Sequence, residues 1–193
     1  MQFVNTSPTN LIAEAELVRE ARRGNEQAFL LIYRQHRAAV FQFAWRLTGS
    51  QATAEDITQE CFLALVRGGK FDGQRGMLRT YLFGIARNLM LRSLRTSAQE
   101  VEQPLDIMAP VDVLNDLLSA ERSELLAEAM ARLPVLQREA LILFVFDEMP
   151  LEEIAEVTGS EIGAVKSRLH RGRESLRRTL TPLLTTNPER KCS

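Results

Sequence analysis

Apolar residues recur along most of the chain at steps of three, four and seven, the period of an α-helix, and long strand-like alternation is absent. The pattern predicts an all-α protein. Leu11 to Arg23 forms a first helix that stops at Gly24. Asn25 can cap a second, in which Ala28, Phe29, Ile32, Tyr33, Val40, Phe41, Ala44 and Leu47 recur before Gly49. Thr53 or Ala54 opens a third, AEDITQECFLALVRG, with Ile57, Cys61 and Leu65 inward and Glu55, Asp56, Gln59 and Glu60 outward. The loop GGKFDGQRG separates it from a fourth, MLRTYLFGIARNLMLRSLR. There Leu78, Leu82, Ile85, Leu89 and Leu94 should be buried, while Arg79, Arg87, Asn88, Arg92 and Arg95 face outward.

After Arg95 the period dissolves into a polar, acidic stretch with Pro104 and Pro110, which reads as a linker. It resumes near Asp112. Leu125 to Leu133 then leads into Pro134 and the strongly apolar helix VLQREALILFVFDE. The expected architecture is two small helical domains, 11–95 and 120–183, joined by a flexible acidic linker, 96–119.

The segment LEEIAEVTGSEIGAVKSRLHRGRESLRR splits into two short amphipathic helices around Gly159. Leu151, Ile154 and Ala155 form the apolar face of one; Ile162, Val165, Leu169 and Leu176 form that of the other. Gly159 suits the positive φ of a helix stop, Ser160 can cap the next helix, and Ala155 is small where two helices must approach. This is the spacing of a helix-turn-helix, whose second helix enters the DNA major groove. On that helix Lys166, Ser167, His170 and Arg171 point away from the apolar stripe, flanked by Arg168, Arg173, Arg177 and Arg178. A merely solvated basic hairpin would not need turn chemistry, small residue and one-sided charge to agree.

Charge sharpens this picture because the net value of −1 hides segregation. Residues 11–95 carry 13 Lys/Arg against 8 Asp/Glu, residues 96–127 carry 1 against 7, and residues 128–193 carry 10 against 10. Two modules that meet polyanions, joined by an acidic connector, are implied. Cys61 falls on an apolar helix face and Cys192 in a polar tail, so no disulfide framework is expected. His36 and His170 lack metal-ligand spacing, and no metal or other cofactor is expected. The N-terminus has no signal-peptide pattern, and the longest apolar run, Ala140 to Phe146, cannot span a bilayer. A cytoplasmic location without membrane insertion is expected.

These motifs together resemble the extracytoplasmic-function (ECF) sigma factors, the smallest class of bacterial sigma-70-type initiation factors. The text AFLLIYRQHRAAVFQFAWRLTG, AEDITQECFLALV and YLFGIARN resembles region 2 of that family. RLPVLQREALILFVFDEMPLEEIAEVTGSEIGAVKSRLHRGRESLRRTL resembles region 4. The resemblance covers nearly the whole chain. It implies a factor that binds core RNA polymerase and directs promoter recognition and DNA melting, in a stress or envelope response governed by an anti-sigma factor.

It also implies residue roles. The family's AED-xx-QE-xF motif falls on Ala54, Glu55, Asp56, Gln59, Glu60 and Phe62, and would dock Asp56, Gln59 and Glu60 on the clamp helices of the largest polymerase subunit. The loop 68–76 and following helix correspond to the −10 melting element. Lys70, Arg75, Arg79, Arg87, Asn88 and Arg95 would hold backbones there, and Phe71 and Tyr81 would offer a platform for an unstacked base or else serve as core. Where Tyr81 stands a Trp is common in the family, and where Arg92 stands an acid is common; the −10 base preference is left open by both departures. The family's −35 contacts map onto Lys166, Ser167, His170 and Arg171, with Arg168 and Arg173 as phosphate contacts. The acidic linker would thread toward the RNA exit path or act as a plain tether.

Two other classes compete. A DNA-binding regulator acting alone, as a dimer, explains 151–178 but leaves the basic N-terminal module unused. An enzyme is disfavoured because the sequence has no Gly-rich phosphate loop, catalytic carboxylate pair or nucleophile–His set.

Overall fold

The computed structural model describes the backbone of residues 8–68, 71–73, 76–100 and 117–185, and the side chains within 13–68, 71–73, 76–93 and 124–182. Among these residues there is no strand. The predicted linker core, 101–116, lies outside them, as do Lys70, Arg75 and Cys192 and the side chains of Leu94 and Arg95. The helices group into two compact units, one built chiefly on the elements before residue 100 and one on those after 117.

The first unit contains α1 (Pro8–Arg22), most of α2 (Glu26–Thr48), α3 (Gln51–Val66) and α4 (Leu78–Glu100). The ends of α1 and α2 obey the turn chemistry in the sequence. Gly24 and Gly49 take φ of 94° and 70°, where a Cβ would be strained. Asn25 Oδ1 accepts hydrogen bonds from the Gln27 and Ala28 amides at 3.1 and 3.2 Å, satisfying two amide groups at the start of α2.

Val18, Ile32, Val40, Phe43, Cys61, Phe62, Leu65, Leu78, Leu82, Phe83 and Met90 are buried together in this unit. The rings of Phe43 and Phe83 stack with centroids 4.9 Å apart, joining α2 to α4. Tyr33 meets Phe62 edge-on at 4.9 Å, joining α2 to α3. The Arg22 Nε–H donates to the Leu65 carbonyl at 3.0 Å and ties α1 to the end of α3. Each fully buried Phe or Leu contributes roughly 1.5–3 kcal/mol through apolar burial.

The buried stripe of α4 is rotated from the expected one. Leu78 and Leu82 are buried, but their companions are Phe83, Ala86 and Met90, while Ile85 and Leu89 are only half-buried. The chain offers two overlapping apolar stripes on this helix, and the larger Phe83 and Met90 take the interior. The helix also continues to Glu100, five residues past the point where the apolar period fades.

The second unit contains α5 (Leu117–Ala131), α6 (Val135–Leu141), the first part of α7 (Leu151–Thr158) and α8 (Ile162–Thr185). The α8 helix packs on α6 and α5. Met130, Leu133, Leu141, Ile142, Leu143, Ile154, Val165 and Leu169 form its core. The expected single helix over 135–148 is interrupted. After Leu141 the backbone widens into a π-turn over Ile142–Phe146, with the Asp147 amide donating to the Ile142 carbonyl at 3.2 Å. Helix patterning cannot register this widening, because Ile142 to Phe146 is apolar whichever way it winds. The turn leaves Val145 53% and Phe146 40% exposed.

Candidate nucleic-acid and polymerase interfaces

The turn between α7 and α8 is built by backbone bonds. Gly159 has φ of 59°, its amide donates to the Glu156 carbonyl at 3.2 Å, and the Ser160 amide donates to the Ala155 carbonyl at 2.9 Å. The new helix begins at Ile162, one residue later than a Ser160 cap implies, with the Ala164 and Val165 amides donating to the Glu161 carbonyl. The Ser160 hydroxyl instead accepts a hydrogen bond from the Arg168 guanidinium at 2.9 Å. That bond braces the first turns of α8 against the preceding corner. Ala155 is half-buried, so the small residue does not mark a sealed crossing.

With Val165 and Leu169 buried, Lys166, Ser167, His170 and Arg171 are exposed on the opposite side of α8. Their steps of one and four keep them on a single helical face. Ser167 Oγ donates to the Gly163 carbonyl at 2.9 Å, and Arg171 Nε donates to the Ser167 carbonyl at 3.2 Å. The Arg171 stem is thereby held close to the helix, with guanidinium donors remaining for a ligand. Lys166 and His170 extend into solvent. Arg173 lies over the Phe144 ring at 5.0 Å, and Arg177 pairs with Glu174 at 3.0 Å. A stacked guanidinium keeps its edge donors available, so the Phe144 contact orients Arg173 without consuming it.

On α3, Asp56, Gln59 and Glu60 are exposed and lie on one face, while Ile57, Thr58 and Cys61 point inward. Glu55 is also exposed and accepts from Gln51 Nε2 at 2.9 Å. The Cys61 thiol donates to the Leu82 carbonyl at 3.3 Å, and burial pushes its pKa up to about 12. It is a core residue with no accessible thiolate.

The loop before α4 and the helix itself bring Phe71 and Tyr81 together, with ring centroids 5.4 Å apart and planes inclined at 49°. Both rings are half-exposed. Tyr81 shares the outer stripe of α4 with Asn88 and Arg92, at i, i+7 and i+11. Arg79 and Arg87 do not join it. Arg79 stands nearly opposite Tyr81 and Arg87 about a third of a turn from it, and the Arg79 guanidinium lies over the Phe83 ring at 5.2 Å. Arg79, Arg87 and Asn88 are therefore spread around α4 rather than gathered on one strip.

Residues 32–100 match the family model for sigma-70 region 2, and residues 123–176 match that for sigma-70 region 4. The chain is 30% identical over 183 residues to the ECF RNA polymerase sigma factor SigW of Bacillus subtilis, covering 86% of this chain and 96% of SigW. The chain belongs to the ECF RNA polymerase sigma factors. It is also 30% identical to the RNA polymerase sigma-H factor of Pseudomonas aeruginosa, over 89% of this chain and 95% of that one. Among solved structures it is similar to the sigma factor RpoE of Bartonella quintana in complex with the anti-sigma factor NepR, with a TM-score of 0.64, 27% identity, and 81% and 96% coverage. CnrH in complex with the cytosolic domain of CnrY is similar at a TM-score of 0.63, 25% identity, and 91% and 99% coverage.

As a sigma factor the protein is a transcription initiation factor that directs core RNA polymerase to promoter DNA. Among the described residues, no helix is long and apolar enough to cross a membrane, and no cluster of His, Cys, Asp and Glu has the makings of a metal site.

Glu14 and Gly172 escaped the sequence reading. Glu14 stands on the stripe it shares with Val18 and Ala21, so an acid among core positions was its signal. Gly172 occupies the same α8 stripe as Val165 and Leu169, where a bulkier residue is expected.

Proposed function

We propose that Lys166, Ser167, His170 and Arg171 read base edges of the −35 element while Arg168 and Arg173 hold its phosphates. The exposed, one-sided polar face of α8 carries this reading. Lys and Arg suit guanine O6 and N7, and Ser tolerates several bases. Asp56, Gln59 and Glu60 dock on the clamp helices of the largest polymerase subunit. The 68–76 loop and α4 open the −10 element. Phe71 and Tyr81 stack an extruded base, Asn88 contacts the same strand, and Lys70, Arg75, Arg79, Arg87 and Arg95 line the backbones.

In this account 11–95 and 120–183 act as separate domains on the two promoter elements, with 96–119 as the acidic tether. The protein has no reaction chemistry of its own, works in the cytoplasm beside polymerase, and is restrained by an anti-sigma factor. The similar Bartonella structure was solved with such a partner. Reconstituted transcription with core polymerase and genomic DNA tests the whole reading. Start sites should share paired −35 and −10 elements and vanish without core; operator binding by the free protein alone would favour a stand-alone regulator.

A further inference from the structure

The first unit holds a buried polar junction among otherwise apolar stripes. Glu14 of α1 is 8% exposed and His36 of α2 is 6% exposed. Glu14 Oε1 accepts from Gln35 Nε2 at 3.3 Å and faces His36 Nε2 at 3.5 Å. Its other oxygen, Oε2, accepts from the backbone amide of Leu78 at 3.4 Å, 64 residues away. Leu78 is the first residue of α4 and is fully buried.

A buried helix start needs partners for its leading amides and favours a nearby negative charge. The first turn of α4 supplies no acid of its own and instead carries Arg79. The carboxylate of α1 fills that place from outside. Removing it would leave the Leu78 amide buried without this acceptor and take a negative charge from the positive end of the helix.

We infer that Glu14 is a positioning residue for promoter opening: it clamps the start of α4 and so sets where Phe71 and Tyr81 stand. The loop that carries Phe71 enters α4 through Leu78, and Tyr81 follows three residues later. A shift at that junction moves both rings. The docking residues Asp56, Gln59 and Glu60 lie on the exposed side of α3 and are not part of the junction. This inference rests on the assignment of −10 opening to the loop and α4. It extends the functional element to α1, which lies before the residues matched as region 2.

The test uses holoenzyme carrying Glu14→Ala on a duplex promoter and on the same promoter with a non-complementary, pre-opened −10 segment. Binding to core should stay within about twofold of the parent. Open complexes on duplex should fall on the order of tenfold, as expected for a lost charge-assisted bond, and recover on the pre-opened template. Glu14→Gln, which keeps an acceptor at the same reach but not the charge, should restore opening in part; Glu14→Asp, one methylene shorter, should not. Equal loss on both templates, or parental opening by Glu14→Asp, would overturn the inference, and the Asp variant decides the matter if Glu14→Ala does not fold. Tyr81→Ala and Asn88→Ala run in parallel. If they open duplex normally, the α4 assignment itself fails; if they are defective and the Glu14 variants are not, only the role of Glu14 fails.

Discussion

Gly172 of α8 lies directly against Leu141 of α6: a Cβ at Gly172 would come within 2.8 Å of Leu141 Cδ1 and 3.5 Å of Gln137 Cβ. Leu141 is 3% exposed and has little room to yield. The missing side chain lets α8 settle onto α6. Gly172→Ala should therefore destabilise the C-terminal unit by about 1–3 kcal/mol, despite the better helix propensity of Ala. Thermal unfolding followed by helical circular dichroism checks this. A gain in stability would mean that α6 and α8 separate readily.

The Cys61 thiol makes stability depend on alkaline pH. Its pKa rises from 9.0 to about 12 on burial, so the native state holds a proton that the unfolded chain releases. The stabilising contribution is fully present below pH 9.0 and is lost progressively as pH climbs toward about 12. Denaturant midpoints across that range should fall with a steeper slope in the parent than in Cys61→Ala. The native thiol should also resist alkylation at pH 8 until the protein unfolds.

The acidic face of α3 predicts a separable docking defect. Asp56→Arg with Glu60→Arg should weaken association with core polymerase at least tenfold while leaving the thermal midpoint nearly unchanged, since both residues are exposed. Co-sedimentation with core measures the loss. Undiminished binding removes this face from the interface.

On α4 the paired rings and Asn88 should matter for opening more than Arg87, which stands about a third of a turn from Tyr81. Tyr81→Ala should lower permanganate reactivity of −10 thymines roughly tenfold, in line with about 1–3 kcal/mol for stacking one base. Core binding should persist. A stronger effect of Arg87→Ala than of Tyr81→Ala would return the melting role to the Arg87 face.

Sequence patterning resolved the features encoded within a few residues. Gly24, Gly49 and Gly159 end helices at positive φ, Asn25 caps α2, and the exposed residues of α3 and α8 follow from the period. What it missed is encoded between distant segments. The α4 stripe is decided by which of two apolar sets meets Phe43, and the Glu14–Leu78 bond joins residues 64 apart. The π-turn at Ile142–Phe146 is hidden by uniform apolarity, and the role of Gly172 depends on Leu141 lying opposite it. Pairing in three dimensions sets the α4 stripe, the Glu14–Leu78 bond and the role of Gly172.

Whether one face of α8 reads the −35 element is tested most directly by selection of promoters from a randomised −35 library with mutant holoenzymes. Lys166→Ala and Arg171→Ala should each cost about 1–3 kcal/mol and relax preference at a particular base position. Arg173→Ala should weaken binding to every sequence alike and reduce the salt dependence by roughly one unit, the mark of a lost phosphate contact. If the Lys166 and Arg171 variants select the same sequences as the parent with undiminished stringency, base reading does not reside on this face.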